Sequence, residues 1–185
     1  MKETVRQLIH LCFGLGIAAL VWFFDHAVVI AVLAGGLLAG VVLVDLILRG
    51  YTIPVLSPLV QFGDRGDPMP GKGAFFYVVS SLSCIILFPV SLVVPALVAL
   101  AVLDSVTTLA GLRFGRHRIY NGKSWEGTLS GIFVTSLCLL PFLTLTGALA
   151  VAVIAGIIEL FSPVDDNLVI PVGVCTLLML VPALV

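Results

Sequence analysis

Residues 91–112 read Ser-Leu-Val-Val-Pro-Ala-Leu-Val-Ala-Leu-Ala-Val-Leu-Asp-Ser-Val-Thr-Thr-Leu-Ala-Gly-Leu, an apolar run holding one carboxylate, Asp104. About 20 such residues are enough for a helix to cross the hydrocarbon core of a bilayer. A carboxylate inside that run must face other helices and meet a partner or an ion, and such residues are functional candidates by default. On a helix the face of Asp104 continues through Thr107, Thr108 and Gly111, at i+3, i+4 and i+7. The structural alternative is a hydrogen-bonding Asp that fixes helix packing.

Outward from this run the pattern repeats. Apolar stretches cover about 8–24, 27–48, 73–90, 127–145, 147–162 and 168–185. Turn residues separate them at Asp25-His26, Phe88-Pro89, Thr146-Gly147 and Pro163–Asn167. Of the 185 residues 61% are hydrophobic and 10% charged, and the mean hydropathy is +1.25. Soluble domains run nearer 45–50% apolar and about 25% charged, so lipid is the expected solvent. The chain is therefore expected to be all-α: one polytopic transmembrane domain over residues 1–185, a bundle of about seven helices.

The nine basic residues set an orientation. Lys2 and Arg6 precede the first stretch, Arg49, Arg65 and Lys72 follow the second, and Arg113, Arg116, Arg118 and Lys123 follow the fourth. The loops on the opposite side, 25–26, 88–91 and 145–147, carry no Lys or Arg. The positive-inside rule then predicts a cytoplasmic N-terminus and an external C-terminus. No cleaved signal peptide is expected, because the first stretch is too long and ends in Asp25-His26. The net charge of −1 gives no sign of a nucleic-acid partner. Cys12, Cys84, Cys138 and Cys175 lie singly in apolar runs, without metal or disulfide spacing.

Polar clusters gather on the basic side. Glu3, Arg6 and His10 share one helix face entering the membrane; both snorkelling and contact with a phosphate or lipid head group fit that spacing. The segment 113–128 interleaves four basic residues with Gly115, Gly122 and Gly127, and Ser124 is positioned to cap the next helix. A loop of this kind can wrap phosphates, and a helix N-terminus favours an anion; the alternative is a positive-inside loop with Trp125 as an interface anchor. It is not a Walker A motif: His117 stands where its first glycine is required, and no strand precedes it. Glu159, Asp165, Asp166 and Asn167 suit a hard cation such as Mg²⁺, or an ordinary Asp/Asn turn. The loop 63–73, with Asp64, Arg65, Asp67 and Lys72, reads as a head-group contact or a plain connector. Asp45 and Arg49 form an i, i+4 pair. Basic groups for a polyphosphate, carboxylates for Mg²⁺ and an intramembrane Asp for a lipid's polar end describe a lipid phosphotransferase, with a small transporter as the non-enzymatic alternative.

The block Asp104-Ser105…Gly111…Phe114-Gly115, followed by Lys123-Ser124-Trp125-Glu126-Gly127-Thr128, resembles the signature of the CTP-dependent lipid kinases. Those are the dolichol, phytol and CTP-dependent diacylglycerol kinases. Glu3…Arg6…His10, Pro70-Gly71-Lys72-Gly73-Ala74-Phe75 and Glu159…Asp165-Asp166-Asn167…Pro171 agree in order, so the resemblance spans nearly the whole chain. Family members commonly carry Arg-Lys before the N-terminal His, where this chain has Arg6-Gln7. The resemblance implies transfer of the γ-phosphate of CTP to a membrane lipid alcohol at the cytoplasmic face, with Mg²⁺. It implies that Lys123 and Arg116 contact the nucleotide, with Ser124, Glu126, Gly127, Gly111 and Gly115 shaping its loop. Arg6, His10 and Lys72 become lipid or phosphate contacts. Asp165, Asp166, Asn167 and Glu159 become metal candidates, and Asp104 either a metal ligand or the group that activates the hydroxyl. A related alternative is a cytidylyltransferase acting on a lipid phosphate; the Lys-Asp…Pro-Gly-His-Gly-Gly…Asp pattern of those enzymes is missing. The lipid alcohol and the oligomeric state are not legible in these residues.

Overall fold

The computed structural model describes residues 2–52, 54, 70–120 and 122–185. Among them lie seven α-helices: α1 (Lys2–Phe23), α2 (His26–Leu48), α3 (Lys72–Leu87), α4 (Val90–Phe114), α5 (Trp125–Leu139), α6 (Leu145–Phe161) and α7 (Asp166–Leu180). A 3-10 turn, Pro182–Leu184, follows. Each helix falls on one of the seven apolar stretches, as expected where a backbone in lipid must pair its own polar groups. Asp64, Arg65 and Asp67 lie outside the described residues.

The helix ends differ from the hydropathy pattern for identifiable reasons. α5 ends at Leu139 rather than near 145 because Pro141 cannot continue a helix. α7 stops at Leu180, two residues before Pro182. Ser124, Thr144 and Asp165 cap α5, α6 and α7, each accepting a backbone N–H from the helix it opens.

α1, α2 and α4 are long and apolar enough to cross a bilayer. α3, α6 and α7 are shorter apolar helices. α4 is the centre of the bundle: 78% of its apolar window is buried, against 11% for α2. It packs on α5, α1, α7, α6 and α3, whereas α2 touches α3 and, slightly, α1. Large apolar side chains such as Phe23, Leu38, Phe133 and Leu145 stand exposed around the outside. A water-soluble protein seldom displays so much apolar surface, and a helical membrane bundle accounts for it.

Glycines set the closest helix approaches. A Cβ on Gly127 of α5 would lie 2.6 Å from the Thr107 carbonyl oxygen of α4, and one on Gly131 would collide with the Thr107 side chain. On α1, a Cβ at Gly14 would lie 2.6 Å from Ala101 of α4 and 2.8 Å from the Tyr77 hydroxyl of α3. Small residues at such crossings let backbones meet and gain dispersion contacts where lipid leaves little hydrophobic drive.

Candidate functional site

The starts of α1, α3, α5 and α7 and the ends of α4 and α6 come together at one end of the bundle. There residues 115–120 and 122–124 fold back on one another. Ile119 N–H donates to the Lys123 carbonyl at 2.8 Å, Lys123 N–H to Tyr120 at 2.9 Å and Trp125 N–H to His117 at 3.1 Å. Arg118 and Ser124 pair as an isolated antiparallel bridge, and the Arg118 guanidinium donates to the Gly122 carbonyl. Gly122 turns the chain with φ of 75°, a left-handed conformation that side chains disfavour.

This fold turns Lys123 inward onto α6. Its Nζ donates to Glu159 Oε1 at 2.9 Å and to the Glu159 carbonyl at 2.6 Å, and lies 3.6 Å from Asp166 Oδ2. Thr107 Oγ1 donates to the same Glu159 Oε1 at 2.8 Å. Carboxylate oxygens of Asp104, Glu159 and Asp166 all lie within 4.8 Å of one another. Glu159 is buried, and its second oxygen, Oε2, has no hydrogen-bond partner. A buried carboxylate oxygen left without a donor is costly, and a divalent cation held by this trio would satisfy it. The donor set, hard oxygen from three different helices, suits Mg²⁺.

The other acidic candidates do different work. Asp165 caps α7, accepts from Asn167 Nδ2 at 2.9 Å and lies 4.0 Å from Lys72 Nζ. The Asn167 carbonyl accepts from Ser80 Oγ at 2.7 Å, tying α7 to α3. Asp165 does not belong to the 4.8 Å trio, and the Asn167 side-chain oxygen is buried without a hydrogen-bond partner. Asp104 is approached from α1 by His10, whose Nε2 lies 3.4 Å from Oδ2. Arg6 pairs with Glu3, a turn nearer the start of α1.

Beside Lys123 opens a cleft of about 280 Å³ between α4, the folded loop and the facing ends of α5 and α6. Thr107, Thr108, Gly111, Arg118, Gly122, Lys123, Ser124 and Glu159 are among its walls. Gly111 and Gly127 sit at the α4–α5 crossing, and Gly115 abuts the Ser124 hydroxyl, so all three let the loop close down on α4. Arg116 is exposed, and its backbone N–H donates to Glu126 Oε2 at 3.2 Å. Arg118 is exposed too, but it is a wall of the cleft and Arg116 is not. Glu126 braces the loop: it meets the backbone N–H of His117 at 3.3 Å and His117 Nδ1 at 2.6 Å. The His117 contact, then backbone N–H donors, lower the Glu126 carboxyl from 4.5 to about 2.

Sequence spacing identified the Asp104 face but not the role of Thr107 as a donor to Glu159. Its i+3 position was the available signal. Nothing in the spacing distinguished Arg118 from Arg116, because only the loop's fold puts Arg118 at the wall of the cleft.

The fold and site define a helical membrane protein with a lysine, three carboxylates and a polar cleft at one end of its bundle. The chain is 36% identical over 176 residues to the uncharacterized protein MJ1137 of Methanocaldococcus jannaschii, an alignment covering 92% of this chain and 90% of that one. It belongs to the same family as that protein. It is also 29% identical over 189 aligned positions to the phytol kinase of Synechocystis sp., covering 92% of this chain and 76% of the kinase. No family model matches the chain, and no solved structure matches it.

Proposed function

We propose that this protein is a CTP-dependent kinase that phosphorylates the hydroxyl of a membrane lipid alcohol, of the isoprenoid or diacylglycerol type, at the cytoplasmic interface. In this reading all seven helices cross the membrane with the N-terminus cytoplasmic, as the distribution of Lys and Arg favours. The observation that carries it is Lys123, whose ammonium joins a three-carboxylate cluster to a polar cleft. Phosphoryl transfer asks for this combination: cations for the phosphates, oxygen ligands for a divalent ion and a carboxylate near the nucleophile. The similarity to phytol kinase over most of both chains supports the same class.

Lys123 and Arg118 would hold the nucleotide phosphates in the cleft, with Thr108 and Ser124 hydroxyls beside them. Asp104, Glu159 and Asp166 would hold Mg²⁺, which when bound neutralises phosphate charge and orients the triphosphate. The alcohol oxygen forms a bond to the γ-phosphorus as the bond to the β–γ bridging oxygen breaks. CDP leaves with that electron pair, and the hydroxyl proton passes to the Asp104–His10 pair.

The test is transfer of label from γ-labelled CTP or ATP to a panel of lipid alcohols by purified protein in detergent. Labelled lipid with CTP, and release of CDP, is the expected result. Pyrophosphate release with a cytidylylated lipid phosphate would replace the kinase with a cytidylyltransferase. No reaction from a folded protein would leave a non-enzymatic membrane role.

A further inference from the structure

The cleft and the carboxylate trio are adjoining compartments that share Glu159. Neither Asp104 nor His10 is a wall of the cleft. Beyond Asp104 lies α1, where His10 Nε2 is buried without a hydrogen-bond partner although both side chains keep 15–16% of their surface open. In-line transfer puts the nucleophile and the leaving group on opposite sides of the phosphorus. With the nucleotide in the cleft, the acceptor belongs on the His10 side.

The shape of that side limits how a lipid arrives. The His10 ring stands edge-on to Tyr77 of α3, with centroids 5.5 Å apart, and Phe13 meets the same ring at 6.0 Å. Tyr77 is fully buried, its hydroxyl donates to the Leu97 carbonyl at 3.1 Å, and Gly14 and Ala101 close in beneath it. Among the described residues, that packing fills the space beside His10 between α1, α3 and α4. Among the described residues, Ile9 and Phe13, which flank His10 on α1, are exposed and apolar.

Building on the kinase reading, we propose that the lipid acceptor enters laterally along α1 beside α3. Its hydroxyl meets His10 and Asp104, and its hydrocarbon lies over Ile9 and Phe13. Tyr77 is the floor that keeps the hydroxyl at the level of the carboxylates. The occupant is the lipid alcohol of the kinase reading, with its hydroxyl at the carboxylates and its hydrocarbon along α1.

A geranylgeraniol analogue with a diazirine in its tail, photolysed with the full chain in lipid nanodiscs, tests the route. Label displaced by excess geranylgeraniol should fall on peptides covering residues 5–13 and 74–78. Displaceable label on α5 or α6, or no displaceable label anywhere, overturns the proposal. Phe13→Ala should raise the KM for the alcohol at least fivefold while the Kd for Mg–CTP stays within twofold. An unchanged KM, or an equal weakening of nucleotide binding, also overturns it. The kinase reading fails separately, if wild-type protein binds and displaces the probe yet transfers no phosphate.

Discussion

Lys123 holds Glu159 at two points, the side-chain oxygen at 2.9 Å and the backbone carbonyl at 2.6 Å. One ammonium therefore meets both one oxygen of a buried carboxylate and a carbonyl at the end of α6. Removing one member of a buried pair leaves an uncompensated charge, at about 3–5 kcal/mol when fully buried. Lys123 is 29% exposed, so Lys123→Met should cost nearer about 2 kcal/mol by the same reasoning. A lowered unfolding midpoint in detergent, together with loss of phosphate transfer, is the expected result. Unchanged stability would mean the pair contributes nothing to the fold.

The carboxylates separate by position. Asp166→Asn should raise the Mg²⁺ concentration for half-maximal activity at least tenfold, and chelation with EDTA should abolish activity reversibly. Asp165→Asn should leave the Mg²⁺ requirement within twofold, because Asn caps a helix about as well as Asp. A magnesium titration of both variants checks this, and equal shifts would remove Asp166 from its special place.

In the loop, Arg118→Ala should raise the nucleotide KM about tenfold, the cost of about 1.4 kcal/mol expected for one charge-assisted contact. Arg116→Ala should change it less than threefold. The reverse order would move the nucleotide out of the cleft.

Glu126 sets a pH dependence. Its carboxyl lies at about 2 in the folded chain against 4.5 ordinarily. A lowered folded value means that its contribution is fully present above about 4.5 and lost as pH falls through about 2. Hydrogen exchange at the Arg116 and His117 amides should therefore stay protected between pH 8 and 5. In Glu126→Gln, protection should be weaker across that range, since a neutral amide is a poorer acceptor. Equal protection in both proteins would show that the brace is unimportant.

Glycine substitutions read the packing directly. Gly131→Ala drives a methyl into Thr107, the residue that orients Glu159, and overpacking of that kind costs about 1–3 kcal/mol. Gly36→Ala meets nothing within 4 Å, so it should be neutral or stabilise α2 by roughly 0.5 kcal/mol. Thermal unfolding of both variants separates a tight crossing from an open face.

Hydropathy, turn residues and the prolines were enough to read seven helices and most of their ends from the chain alone. A long apolar run in lipid can pair its backbone within itself only as a helix, so local composition governs local structure. Asp104 stood out for the same reason, being a charge where none is cheap. The tertiary structure alone decided which groups meet. Thr107 and Glu159 are 52 residues apart and Lys123 and Glu159 are 36 apart. Their contact depends on helix crossings at Gly127 and Gly131 and on a turn at Gly122. Asp165 and Asp166 are neighbours in sequence, yet one caps a helix and the other joins the trio. Successive residues at a helix start point in different directions, and only the packed bundle determines what each one faces.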